Sequence, residues 1–245
     1  MNWSKAKTIL IAALIITDIF LILTYVDFGF KDDEFNDNEA LAEFLAQKNI
    51  YVSAEAIPER HKDMPVLYVQ NEDDNCPEMT SALSAGDFPK VSENKDEEYI
   101  RIADSFIKAA GPKYDTAVFE RIESSGAATS VIYKNVIDGV AIEKSRIVCF
   151  FKDGVLEDFE CEWLGAVSFH SKKQNTISAS QALLLFMAQN EEKKDIYING
   201  IEMIYWLDEG SLDTETAISA DTAFPTWKIT YNDGETSYID GYAHQ

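Results

Sequence analysis

Hydrolytic and group-transfer chemistry needs a nucleophile, a base and an orienting group brought together, and few side chains here have the type and spacing for it. Ser92-Glu93-Asn94-Lys95 fits S-x-x-K, in which a lysine activates a serine, but it lies in a polar stretch with no S-D-N or K-T-G partner. Ser4-Lys5-Ala6-Lys7 fits as well, just ahead of an apolar run. His61, His170 and His244 are far apart in sequence, and no H-E-x-x-H, G-x-S-x-G, P-loop or Rossmann glycine pattern occurs. The acidic runs Asp32-Asp33-Glu34-Phe35-Asn36-Asp37 and Glu72-Asp73-Asp74-Asn75 lack the glycine and distal glutamate of a calcium loop. No catalytic, cofactor-binding or metal-ligating residue is assigned, and the expectation is a protein that is not an enzyme and carries no cofactor.

Two features stand above that background. The first is Asp18, in the middle of the apolar run Thr8 to Val26. A helix of that length covers roughly 28 Å, the hydrocarbon thickness of a bilayer. A carboxylate there costs roughly 2.5–3.5 kcal/mol, so it calls for a partner. Leu14, Asp18 and Leu21 or Ile22 share one helical stripe, which makes them candidates for contact with a partner's transmembrane helix. The second feature is the aromatic density near the C-terminus, from Tyr197 to Tyr242. Most of it reads as core, with Tyr205, Trp227 and Tyr238 as candidates for an aromatic contact surface.

The chain has 21 Lys+Arg against 43 Asp+Glu, a formal net charge of −22. That excludes nucleic acid as a partner, because a phosphate backbone requires a basic stripe. Lys5 and Lys7 precede the apolar run and Asp27, Asp32, Asp33 and Glu34 follow it, which orients the N-terminus to the cytoplasm. The run is longer than a usual signal-peptide core and ends without an A-x-A-like site, so an uncleaved anchor is expected. The reading is a single-pass cell-membrane protein: residues 1–7 cytoplasmic, 8–26 the anchor, and the remainder extracytoplasmic.

Beyond the anchor, residues 27–95 read as a membrane-proximal spacer and small subdomain. Asn38 can cap a short helix there, and Val66-Leu67-Tyr68-Val69 form one strand. From Asp96 a helix-then-meander pattern occurs twice, over 96–174 and 175–245. The first round has a helix over 97–110, stopped by Gly111-Pro112, then strands over 117–122, 129–136, 146–152 and 155–164 with turns at Asp138-Gly139 and Asp153-Gly154. The second opens with a Ser178/Gln181 capping box on a helix over 179–189, followed by strands over 196–207, 227–231 and 237–242. Cys76, Cys149 and Cys161 are an odd set. A two-residue turn at Asp153-Gly154 pairs Lys152 with Val155 and Cys161 with Arg146, leaving Cys149 on the other face. Free, buried thiols are therefore expected. The fold class is α+β: one transmembrane helix, then helix-plus-antiparallel-meander units.

The opening Asn2-Trp3-Ser4-Lys5-Ala6-Lys7-Thr8-Ile9, running into an anchor with a polar residue at Asp18, resembles the YycI (WalI) family. Ala223-Phe224-Pro225-Thr226-Trp227-Lys228-Ile229, followed by a turn and one more strand, is similar to that family's ending. The resemblance implies a single-pass membrane protein of Gram-positive bacteria. With a sister YycH-like protein it would bind the cell-wall sensor histidine kinase YycG (WalK) and regulate that two-component system. It implies a PepSY-like external fold and no catalytic residues. The other reading of the residues is an anchored extracytoplasmic binding module for a wall fragment or peptide.

Overall fold

The computed structural model describes residues 38–59, 62–71, 76–92, 95–190, 195–207 and 221–242. The anchor expected over 8–26, with Leu14, Asp18, Leu21 and Ile22, lies outside these residues. Among the described residues no helix is long and apolar enough to cross a membrane. In chain order the elements are α1 (Asn38–Ala46), β1 (Ile50–Tyr51), β2 (Leu67–Asn71), α2 (Pro77–Ala85) and α3 (Asp96–Ala110). They continue with β3 (Ala117–Ser125), β4 (Ala128–Ile137), β5 (Val140–Lys152), β6 (Val155–Glu162) and β7 (Leu164–Phe169). The last are α4 (Ala179–Gln189), β8 (Ile196–Leu207), β9 (Asp221–Tyr231) and β10 (Glu235–Asp240). The architecture is α+β, with helices laid on a ten-stranded, mostly antiparallel sheet.

Helix α3 is amphipathic because its apolar residues recur every three or four positions. Tyr99, Ile102, Ala103, Phe106, Ile107 and Ala110 are buried. The face is centred on Phe106, which is fully buried. It packs on the meander β3–β6 against Val131, Tyr133, Ile147 and Phe151. The Tyr133 hydroxyl donates to Asp104 at 2.6 Å, and Trp163 Nε1 donates to the Lys113 carbonyl at 3.2 Å. At both tight turns the aspartate and the glycine have positive φ: Asp138 (51°) with Gly139 (84°), and Asp153 (50°) with Gly154 (80°). That is the type I′ geometry matching the strand twist.

The second core lies under α4. Its capping box is present: Gln181 N donates to Ser178 Oγ at 3.2 Å and Ser178 N to Gln181 Oε1 at 2.9 Å. Ala182, Leu183 and Phe186 pack on Trp227 and Ile229 of β9. Leu41 and Leu45 of α1, with Ile50 and Ile57, complete this core. Asn38 is the first residue of α1, and its amide donates to the Ile57 carbonyl at 3.1 Å. The described part of 27–95 is thus shared between both cores, since α2 supplies Met79 and Ala82 to the core of α3. Strand β2 pairs with β9 on one side and β7 on the other. The two meanders meet where β5 runs parallel to β8, at Ala141↔Ile204 and Ile142↔Tyr205.

The cysteines correct the sequence reading. Cys76 and Cys161 form a disulfide across 85 residues, and Cys149 is free and buried. The β5–β6 ladder starts as expected, with Lys152↔Val155, but a bulge between Phe150 and Phe151 shifts it by one, so Cys161 faces Ile147. A one-residue slip exchanges the faces of a strand. Cys161 therefore turns toward the α3 core, where Cys76 stands just ahead of α2. Burial pushes the Cys149 thiol far up, with the nearby Asp104 adding to the effect, so it is an inert apolar filler.

Candidate functional site

The feature most able to recognise something else arises from an irregularity in β5. From the Asp138-Gly139 turn the β4–β5 ladder begins Ile137↔Val140 and Val136↔Ala141, yet it resumes as Lys134↔Arg146. Only Asn135 spans what Ile142 to Ser145 span on the other strand, and Lys144 sits at φ 65° within the excursion. Ser145 turns inward and is 1% exposed. It closes a buried network in which Leu164 N donates to Ser145 Oγ at 2.9 Å and Asn135 Nδ2 donates to the Leu164 carbonyl at 2.8 Å. Thr116 Oγ1 donates to Asn135 Oδ1 at 2.7 Å. Every buried side-chain nitrogen and oxygen among the described residues has a partner.

The excursion also throws Glu143 and Lys144 across to the second meander. Lys228 Nζ of β9 donates to both Glu143 oxygens, at 2.7 and 2.9 Å. The Tyr238 hydroxyl of β10 donates to the same carboxylate at 3.0 Å. Lys144 lies 5.5 Å over the Trp206 ring, which stacks on Tyr238 at 4.0 Å. Burial alone would lower the Lys228 ammonium, but the Glu143 hydrogen bond and charge outweigh it and hold the pKa above the ordinary lysine value. Burial raises the Tyr238 phenol.

Between the two meanders, on the sheet face away from α3, this leaves a basin of about 540 Å³. Arg121, Lys134, Lys144, Arg146 and Lys228 reach it, and Ile132 and Ile142 line its apolar part. Glu120, Glu143, Glu162 and Glu202 interleave with the bases. Five cations and four carboxylates alternate here, a nearly balanced set in a chain that carries −22.

The sequence-predicted contact residues fare differently from one another. Tyr205 and Trp227 are each 2% exposed and belong to the interior, which corrects their assignment to a surface. The reason is strand alternation: Trp227 points under α4 and donates Nε1–H to the Ile177 carbonyl at 2.9 Å. Tyr205 fills the seam between the meanders and donates to the Pro65 carbonyl at 3.3 Å. Tyr238 is half-buried at the basin's edge. His170 is exposed and its Nδ1 accepts from Lys172 N at 3.2 Å; His61 and His244 lie outside the described residues. Ser92 Oγ, of the S-x-x-K match, bonds to the Glu98 carboxylate at 3.2 Å. Among the described residues no three His, Cys, Asp or Glu side chains gather to hold a metal ion. Sequence reasoning missed the basic basin. A straight Asp138-Gly139 hairpin pairs Lys134 with Glu143, so no basic cluster was legible there.

This geometry defines an α+β chain built on one largely antiparallel sheet. No family model matches the chain, and no curated protein matches it either. Among solved structures it is similar to the Bacillus megaterium YpeB C-terminal domain, with a TM-score of 0.36 and 10% identity. That similarity covers 64% of this chain and 65% of the other, so the chain spans slightly less than two thirds of its neighbour.

Proposed function

We propose that this chain is a non-enzymatic, membrane-anchored regulator of a cell-wall-sensing histidine kinase, of the YycI (WalI) kind, acting with a YycH-like sister. The observation that carries the reading is the N-terminal segment. Asn2 to Ile9 resembles that family's opening, and a bilayer-length apolar run follows with basic residues before it and acidic residues after. The Cys76–Cys161 disulfide supports an extracytoplasmic place for the folded part, since such bonds persist in oxidising compartments. The succession α3 then β3–β6, and α4 then β8–β10, supports a PepSY-like duplication. The alternative, a binding module working through its aromatic face, is weakened because Tyr205 and Trp227 are interior.

A regulator of this kind binds one signalling state of the kinase better than the other and shifts the population by that difference. Within the bilayer, Asp18 supplies an interhelical hydrogen bond worth about 0.6–2 kcal/mol. The test is co-purification of the full chain with a YycG-like kinase from membranes. Asp18→Leu is expected to weaken the association about tenfold, the equivalent of ~1.4 kcal/mol. Asp18→Asn, which still donates and accepts, is expected to preserve it. Association of Asp18→Leu equal to the parent would remove the residue from the interface, and failure of the parent to associate at all would remove the reading.

A further inference from the structure

We propose that Arg121, Lys134 and Arg146 form a binding site for a multivalent oxyanion, a ligand carrying phosphoryl or carboxylate groups. The inference concerns the basin alone and holds whether or not the chain engages a kinase. One rung of the sheet reads Val118, Lys134, Arg146, Glu162 across β3 to β6, and the next reads Arg121, Ile132, Val148, Glu160. Lys134 is thus directly opposite Arg146, and Arg121 is diagonal to Lys134. Like charges directly opposite on neighbouring strands are destabilising. A straight hairpin would have set Lys134 against Glu143. The excursion in β5 instead sends Glu143 to Lys228 and leaves two cations face to face.

What neutralises that pair inside the protein is weak. Lys134 meets Glu202 at 3.7 Å, and Arg146 meets Glu160 at 3.8 Å and Glu162 at 3.6 Å. The three carboxylates are about half exposed, between 47% and 53%, and ion pairs of that kind contribute little. Arg121 is held more firmly, by Glu120 at 2.6 Å and Glu123 at 2.7 Å, both on its own strand. The bulge between Phe119 and Arg121 is the point at which β3 turns this residue toward the basin. Beneath the cations lie Ile132 and Ile142, 5% and 2% exposed, an apolar floor that strengthens any charge-assisted bond made above it. Two guanidinium forks and an ammonium suit a planar or tetrahedral oxyanion with several oxygens. Such a ligand would relieve the Lys134–Arg146 repulsion by displacing the half-exposed Glu202, Glu160 and Glu162 from the two cations.

The experiment is calorimetric titration and thermal unfolding of the full chain in a neutral maltoside detergent. The probes are inorganic pyrophosphate and citrate, with sodium chloride at matched ionic strength as the blank. Saturable binding of pyrophosphate alone identifies a phosphoryl ligand, and saturable binding of citrate alone identifies a carboxylate one. Lys134→Gln and Arg146→Gln are each expected to weaken binding at least tenfold, and Glu162→Gln to tighten it by freeing Arg146. Lys134→Gln is also expected to leave the ligand-free chain as stable as the parent or more so, which a structural ion-pair role would not allow. Lys48→Gln, on the exposed turn after α1, serves as the unchanged control. Should a variant fold poorly, Arg146→Lys keeps the charge but loses the fork, and several-fold weaker binding is expected. Either no response beyond the chloride blank, or binding equal to the parent in both Lys134→Gln and Arg146→Gln, overturns the proposal.

Discussion

Helix α4 enters its core through a closed capping box, and that core is completed by Leu41 and Leu45 of α1, brought in from the other end of the described chain. Helix α3 instead follows Lys95, whose side chain makes no cap. Its half is held by a covalent tether and buried polar bonds: the Cys76–Cys161 disulfide, Tyr133 to Asp104, and the Asn135–Ser145–Leu164 network. The contrast extends to the outer surface. The first meander carries the Lys134–Arg146 repulsion on its outer face, while the well-made Lys228–Glu143 pair bridges it to the second.

The difference can be broken or sharpened by experiment, with Trp163 reporting the first core and Trp227 the second. The largest effects belong to matched core truncations. Phe106→Ala and Phe186→Ala, each at a fully buried position, should cost about 3–5 kcal/mol in denaturant unfolding. Each should act first on the tryptophan of its own half, and identical shifts of both signals would show one cooperative unit. Next, Cys76→Ser with Cys161→Ser should cost about 2–5 kcal/mol and move the Trp163 transition below that of Trp227. An unchanged midpoint would mean the tether adds nothing to the first half.

A third effect is alkaline. Burial pushes the Tyr205 phenol up to about 12, with smaller contributions from Tyr242 and Asp138. Burial, with Asp240 adding, pushes Tyr242 up to about 12. Both hydroxyls hold the Met64–Pro65 backbone to the seam between the halves. A folded-state pKa raised above its unfolded value near 10 gives stability that is complete below pH 10 and lost as pH climbs toward 12. For the fully buried Tyr205 the loss is on the order of 2 kcal/mol. Tyr205→Phe should flatten that limb of the stability profile, and an unchanged limb would place the titration elsewhere. The smallest effect is Ser178→Ala, at about 1 kcal/mol on the Trp227 transition.

What the sequence made legible follows the same division. The span of α4, its capping box and the Asp138-Gly139 and Asp153-Gly154 turns were readable because each is encoded within a few residues. Helix α2 is absent from the reading of 27–95 as a spacer and small subdomain, although Pro77 at its first turn is an ordinary helix-start signal. The disulfide, the basin and the burial of Tyr205 were not readable. The first two depend on ladder irregularities at Phe150–Phe151 and over Ile142–Ser145, which a register counted from a turn cannot anticipate, and the third on the pairing of β8 with β5 across the seam. Both irregularities changed which side chains face each other, and the short strands β1 and β7 were not read from the sequence.

The most direct measurement of the central claim is kinase autophosphorylation in vesicles that hold a YycG-like sensor kinase with or without the full chain. Proposed as a regulator anchored in the same bilayer, the chain should change the rate several-fold at saturation, and Asp18→Leu should require about tenfold more protein for the same change. A rate identical with and without saturating chain, both proteins being inserted in one membrane, would contradict the account.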